Sequence, residues 1–343
     1  MKFFRFVFES MMLPALMFTA CACSTESAMQ QLLGLSVEAP VFMACKTVSE
    51  WELSFQFSLP VQVSSLHFDP PLEVESVTGG EYVTVILAQP PEGGKRIMAD
   101  IVVEDEGGNT LNVLVPFRTR NNNIPPLMIT EVRTEYSKPK VEFVELRTLR
   151  AGNVGAMRLF IASSGMETPV FEFPPAEVGA DEYLVVHLRT LEPESINETG
   201  GDLGASPYSG DNEALPEARD FWVPGTTKRI KKTDIILCVD QDDRIIDALL
   251  LSETSDPWWK TEDLAKAAEM AGRQDAWLSL EAAAEQLPGP GSAVSSRYTT
   301  ATRSISRDEA TPDSNSAADW YITATSNATP GRLNSVKRYV PKE

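Results

Sequence analysis

The chain has 343 residues, with 49 acidic side chains against 30 lysines and arginines and a formal net charge of −19. That charge argues against sequence-independent binding to nucleic acid, because phosphate contacts need clustered lysine and arginine. The length allows two domains, and a bias toward valine, threonine, phenylalanine and proline, with one helical stretch, points to an all-β fold of sandwiches.

Residues 1–20 read as an export signal: Lys2 and Arg5 give a positive start, and Met11 to Ala20 form an apolar run too short to span a bilayer as a mature helix. The segment Phe18-Thr19-Ala20-Cys21 resembles a bacterial lipobox, in which a small residue precedes the cysteine that receives lipid. It departs from the usual pattern at Phe18, where leucine is common, a looseness of the spirochaete type, and at Glu9, which interrupts the apolar region. The resemblance implies lipidation at Cys21, with a membrane partner and a place at the cell membrane or outer membrane, on either the periplasmic or the surface face. Lipidation at Cys21 would leave Cys23 unmodified in the tether, and cleavage after Ala20-Cys21-Ala22, an A-x-A-like site, is the other reading and implies plain secretion. Residues 21–37 are polar enough for a tether.

Residues 38–122 carry the first β-pattern. In 51–59 the side chains alternate strictly, placing Trp51, Leu53, Phe55, Phe57 and Leu59 on one face of a half-buried strand. Further strands are expected at 61–68, 81–88, 95–105 and 110–119, the last two joined by the turn Glu106-Gly107-Gly108-Asn109. The FSLPV and DEGGNTL features resemble bacterial immunoglobulin-like domains of cell-surface proteins. Asparagines and paired prolines from Asn121 to Pro126 then break any strand and mark a domain boundary.

Residues 124–335 are expected to form a second sandwich. Its opening, ITEVRTEYSKPKVEFVEL from Ile129 to Leu146, reads as a hairpin turning at Ser137 to Lys140. Strands follow at 157–163, 182–189 and 233–251, the last a pair separated by Asp240-Gln241-Asp242-Asp243. Between them, residues 191–220 form a polar loop with eight acidic side chains, too long for an ordinary connection and without the spacing of a calcium loop.

Residues 257–290 hold the one helical segment, rich in alanine, leucine, glutamate and lysine, with Thr261 or Ser255 as cap, Gly272 as a divider and Pro288 to Gly291 as the stop. The pattern predicts an insertion that packs on the sandwich. Its Trp258, Trp259 and Trp277 are candidate binding residues, since aromatics stack on sugars or anchor partners, and equally they are candidates for fixing the helix to the β-domain. A short tail, 336–343, follows.

The opening IxEV and EFVEL, with Glu142 and Glu145 three apart, together with Ser304, Arg307, Asp313, Asn315, Asp319, Trp320 and the run Ala328-Thr329-Pro330-Gly331 before Asn334, resemble the start and close of a lamin tail domain. The resemblance implies that the chain is two immunoglobulin-like sandwiches in tandem, the second of them a lamin tail domain.

No nucleophile elbow, phosphate loop or dinucleotide fingerprint is present. Glu142/Glu145 and Asp240/Asp242/Asp243 read as strand and turn residues rather than acid/base pairs. Only His67 and His187 exist, neither within a zinc pattern, and Cys45 and Cys238 read as buried free thiols, so no metal or cofactor is implied. The expectation is a non-enzymatic, lipid-anchored envelope protein presenting its modules to a protein or glycan. The alternatives are an envelope hydrolase, or its accessory subunit, using 191–220 and 257–290, and a structural spacer.

Overall fold

A computed structural model of the chain describes residues 38–205, 217–278 and 287–341. It is all-β, with a single α-helix among the described residues.

The first core is built on β1 (Phe42–Thr47), β2 (Glu52–Asp69), β3 (Val74–Thr78), β4 (Gly80–Leu87), β5 (Arg96–Asp105) and β6 (Thr110–Arg118). The two strands expected at 51–59 and 61–68 are one 18-residue strand that turns a corner at Pro60. Proline is tolerated there because no ladder needs its N–H: pairing with β4 lapses between Gln56 and Val61, and pairing with β5 starts at Val61. Val61 pairs with Gly80 of β4 and with Asp105 of β5, so these two strands lie on opposite edges of β2. The first half of β2 therefore belongs to one layer with β1, β4 and β3, and the second half to the other with β5 and β6. Leu53, Phe55, Phe57, Val83 and Val85 meet Ile97, Ile101, Val103 and Phe117 between the layers. Trp51, expected on the buried face, lies before the strand and is 47% exposed. The turn after β5 forms as expected, the Asp105 carboxylate accepting both the backbone and side-chain N–H of Asn109 at 2.9 Å.

The second core lies between two larger sheets. One holds β7 (Leu127–Arg133), β8 (Phe143–Thr148), β13 (Tyr183–His187), β14 (Arg219–Trp222), β18 (Ile305–Arg307) and β19 (Trp320–Ile322). The other holds β10 (Arg158–Ile161), β11 (Phe171–Glu172), β15 (Asp234–Val239), β16 (Ile245–Ser252) and β17 (Val294–Ser295), and a short ribbon pairs β9 (Gly152–Asn153) with β12 (Glu177–Val178). The β7–β8 hairpin closes with a Ser137–Lys140 bridge at the expected turn. The closing segment returns to both sheets, Val294 pairing with Leu251 and Ile305 with Val132.

The helix α1 (Glu262–Arg273) starts at Thr261, whose side chain accepts the Leu264 N–H. Gly272 does not divide it but lies in its last turn, where a Cβ would come within 2.5 Å of Pro288 Cδ. Residues 279–286 of the expected helical segment lie outside the described residues. The insertion is not laid on a finished sandwich, because Leu264, Ala267, Ala268, Ala271 and Trp277 belong to the same apolar cluster as the sheets.

Candidate functional site

The densest polar centre lies where the closing segment crosses the β7–β8 hairpin. Register places Glu131 of β7 opposite Glu145 of β8, and both are fully buried. Glu131 Oε1 accepts hydrogen bonds from the Ser304 and Ser306 hydroxyls, and its Oε2 accepts from the backbone N–H of Thr329 at 2.9 Å and from its hydroxyl at 3.3 Å. Glu145 has one donor on each oxygen, the Thr130 hydroxyl at 2.6 Å and the Gly331 N–H at 2.5 Å. Burial raises both carboxyls, and Glu145, facing the Glu131 charge with fewer donors, rises well above the ordinary carboxylate range. Of the two, Glu145 is the more strongly raised. Nearby, Asn334 Nδ2 donates to the carbonyls of Thr130 and Arg307 at 2.8 and 3.1 Å. A carboxylate pair of this kind can shuttle a proton in an open cleft, but here three of the four oxygens hold the closing segment to the hairpin and the fourth takes the Thr130 hydroxyl of β7.

Sequence reasoning paired Glu145 with Glu142, three residues earlier. Residues three apart on a strand face opposite ways, and Glu142 instead forms a bidentate pair with Arg189, Nε to Oε2 at 2.6 Å and Nη2 to Oε1 at 2.5 Å. Glu131 stands in the IxEV run that the sequence singles out, but that it and not Glu142 faces Glu145 depends on cross-strand register, unreadable before the hairpin's pairing is known.

A second buried pair stands beside it. Arg307 donates to the Ile129 carbonyl at 2.8 Å and to Asp247 at 2.7 Å, pairs with Asp313 at 2.6 Å, and lies over the Trp320 ring at 4.7 Å. Despite Arg307, burial pushes the Asp247 carboxyl up to about 6. A carboxyl raised in the folded state binds its proton on folding, so its contribution to stability is present at acid pH and is lost as pH rises through the folded value. Stability should therefore fall by about 3 kcal/mol between roughly pH 4 and pH 6.5 from this group. The lowered carboxyls of Asp242 and Asp319 act only below that window. Urea unfolding across the range reads the slope, and Asp247→Asn, although destabilising, should make it shallower, the raised carboxyls of Glu131, Glu145 and Asp234 keeping the rest; an unchanged slope would contradict the assignment.

His187 is buried, with Nε2 at 2.8 Å from Asp220 and its ring stacked on Trp222 at 3.9 Å. Part of the 191–220 loop is pinned to this strand pair: Glu198 accepts the Asp220 N–H at 2.8 Å, and Arg219 donates to the Glu198 and Gly200 carbonyls. Residues 206–216 of that loop lie outside the described residues. At the β15–β16 turn, Asp240 accepts the backbone N–H of Asp242 and Arg244, the local role expected of it.

The three tryptophans do not form one platform. Trp277 is 1% exposed and donates to the Ser292 carbonyl at 3.1 Å, so it is a core residue and not a binding residue. Trp259 is half-buried with its indole N–H on the Pro288 carbonyl, and Trp258 alone stands out, at 72% exposure. Cys21 lies outside the described residues. Cys45 and Cys238 are free thiols, and burial pushes Cys45 up to about 12.

Between the two cores lies an open polar cleft of about 320 Å³ lined by Lys46, Arg118, Arg120, Arg158, Glu172 and Asp242 among others. Two of its cations bridge the cores, Arg118 pairing with Glu172 and Arg120 with Asp242 through two bonds of 2.6 and 2.5 Å, while Arg158 pairs with Asp243 within the second core. The stretch expected to be a plain boundary is built in. Asn121 is buried, donating to the carbonyls of Asn153 and Gly155 at 2.8 Å and accepting Asn123 N–H, while Gln241 takes its own N–H. Gly94, at φ +77°, packs so close that a Cβ would meet the Gly155 carbonyl carbon at 2.3 Å.

A family model described as a protein second domain, TP_1001_2nd, matches residues 125–322. An uncharacterized protein of Treponema pallidum (strain Nichols) is 28% identical over 210 residues, covering 58% of this chain and 51% of the relative, so the chain spans about half that relative's length. A crystal structure of a DUF4876 family protein from Bacteroides thetaiotaomicron VPI-5482 aligns over 88% of this chain and 97% of its own at 12% identity, with a TM-score of 0.31. The match at 125–322 overturns the lamin-tail resemblance, since the family found there is a different one. The residues that carried the resemblance, among them Ser304, Arg307, Thr329, Gly331 and Asn334, are the ones that hold a returning segment to a hairpin. A sandwich of another family can meet that need with the same short motifs.

Proposed function

The chain belongs to the TP_1001_2nd family of protein second domains, and from that premise we propose that it is an exported, lipid-anchored, non-enzymatic envelope protein that displays two β-sandwiches to a protein or glycan partner. The observation that carries the display reading is the joint. Two ion pairs, a buried asparagine and a glycine-to-glycine backbone contact link the cores, so a partner meets both modules in one orientation. A fixed orientation lowers the ordering cost of binding across two modules. The non-enzymatic reading is supported by the use already made of Glu131, Glu145, Glu142 and Asp247, whose oxygens accept bonds from this chain's own donors.

Anchoring rests on the Phe18-Thr19-Ala20-Cys21 segment. Acyl chains on the sulfur and amino group of an N-terminal Cys21 hold a protein in a membrane where one chain binds reversibly, since each buried methylene contributes about 0.8 kcal/mol. Metabolic palmitate labelling with detergent partitioning tests this. Label should be lost in Cys21→Ser and kept in Cys23→Ser. The reverse would move the anchor by two residues, and an unlabelled wild type in the aqueous phase would sink the lipoprotein reading. Turnover in a screen of envelope hydrolase substrates would replace the non-enzymatic one.

A further inference from the structure

The first sandwich is not closed. Along Gln62–Asp69 β2 pairs with β5 on one edge, and among the described residues no strand pairs with its other edge, because β4 leaves at Val61. The connection from Asp69 brings the chain back as β3, which pairs with β4 on one edge and, among the described residues, with nothing on the other. Between β3 and the second half of β2 lies a slit of about 330 Å³ lined by Gln62, Val63, Ser65, Leu66, Val74, Val77 and Gly79.

Four apolar side chains line the slit beside Gln62 and Ser65, for a reason written into both strands. Residues three apart on a regular strand face opposite ways, but β2 has a register break between Val63 and Ser65, and β3 has one between Val74 and Ser76. Each bulge adds one residue and returns the pair to a common face, so Val63 with Leu66, and Val74 with Val77, all line the slit. Val74 and Val77 are 37% and 40% exposed, although both point toward the space between the layers. One end is shut where Gly79 meets β2, since a Cβ there would lie 2.6 Å from the Val61 carbonyl oxygen.

We propose that this slit is a strand-acceptor groove that takes an extended segment of a partner protein, apolar at alternate positions and basic between them. Such a segment finds unpaired backbone groups along β3 and β2, and its alternate side chains enter the slit beside Val63, Leu66, Val74 and Val77. Charge selects the partner. From Val61 to Glu81 the chain carries Asp69, Glu73, Glu75 and Glu81 and no lysine or arginine. A second copy of this chain, acidic in the same place, is repelled, and the Glu75 bulge guards the edge against self-pairing, whereas a basic strand is attracted.

This inference rests on the display reading and names the binding surface within it. Palmitate labelling reads anchoring without reference to the groove, so either can fail alone. The test uses the full chain and a fluorescent peptide of about seven residues alternating lysine and valine, set beside the same peptide with a central proline. Saturable binding to the first peptide and at least about tenfold weaker binding to the second is expected. Val77→Glu should weaken binding by about tenfold or more despite its favourable charge, while Thr78→Glu, on the other face of β3, should leave it within about twofold. Thermal unfolding of both variants verifies that they remain folded, as the exposure of these positions allows. Equal binding of the two peptides, or equal binding by wild type and a folded Val77→Glu, would reduce the contact to charge attraction and overturn the proposal. Absence of saturable binding to the alternating peptide would overturn it as well.

Discussion

Glu131→Ala should destabilise the second sandwich by about 3–5 kcal/mol, whereas Glu145→Gln should change stability at neutral pH by no more than about 1 kcal/mol. The two side chains are cross-strand neighbours, equally buried, and differ in what they accept. Truncating Glu131 leaves the Ser304 and Ser306 hydroxyls and both donors of Thr329 facing a cavity, and the Thr329 backbone N–H cannot turn away. Burial and the facing Glu131 hold the Glu145 carboxyl well above the ordinary range, so an amide of the same shape keeps an acceptor for one of its two donors and removes the group that the Glu131 charge repels. The same assignment fixes a pH effect. Because the Glu145 carboxyl is raised in the folded state, its contribution is present at acid pH and is lost as pH rises toward its folded value. That loss has the same sign as the Asp247 contribution, so a fall in stability from about pH 4 upward that is shallower in Glu145→Gln than in the wild type identifies it. Urea unfolding of both variants over that range gives the two results together. If Glu145→Gln proved the costly substitution and Glu131→Ala the mild one, the charge would have to be reassigned to Glu145.

The strands of the second sandwich were legible because they are buried on both faces and read as unbroken apolar runs, as in TDIILCVD and RIIDALLL. In the first sandwich, Leu53, Phe55 and Phe57 alternate as a half-buried strand must. The strands missed in that sandwich, β1 and β3, are edge strands whose exposed side chains leave no periodic signal, and in β3 the bulge at Glu75 breaks what alternation there is; in the second, the short β9, β11, β12, β14 and β17 were missed, β14 starting inside the stretch read as the 191–220 loop. Fusion of two expected strands across Pro60 was hidden because proline normally ends a strand, and only the lapse of the ladder at the corner shows why it does not. The polar centre was half visible. Ser304, Arg307, Thr329, Gly331 and Asn334 stood out as a motif with the IxEV run that holds Glu131, but that Glu131 gathers several of them and faces Glu145 depends on pairing across the hairpin, which local sequence does not encode. The motif was therefore a signal for how the chain closes and not for which family closes it.

Removing residues 257–290 and bridging the gap with a short linker should abolish cooperative unfolding of the second sandwich, the opposite of what a tolerated surface insertion would do. The helix gives the core Leu264, Ala267, Ala268 and Ala271, and Trp277 fills the space after it as one of the largest fully buried side chains of the protein. Polar bonds of the strands also depend on the insertion. Gln274 accepts the Ile245 N–H at the start of β16 at 2.8 Å, and Asn315 of the closing segment accepts the Leu278 N–H at 2.7 Å and donates to the Asp275 carbonyl at 2.8 Å. The point substitution that isolates the packing part is Trp277→Ala, which should cost about 3–5 kcal/mol, because it empties a site whose walls are sheet and helix together. Trp258→Ala removes an indole that stands in solvent and should stay within about 0.5 kcal/mol. Thermal and urea unfolding, followed by tryptophan fluorescence and circular dichroism, separate these outcomes. A deletion variant that still unfolds in one sharp transition, or a Trp277→Ala variant as stable as Trp258→Ala, would return the helix to the role of a surface attachment and free its tryptophans for a partner.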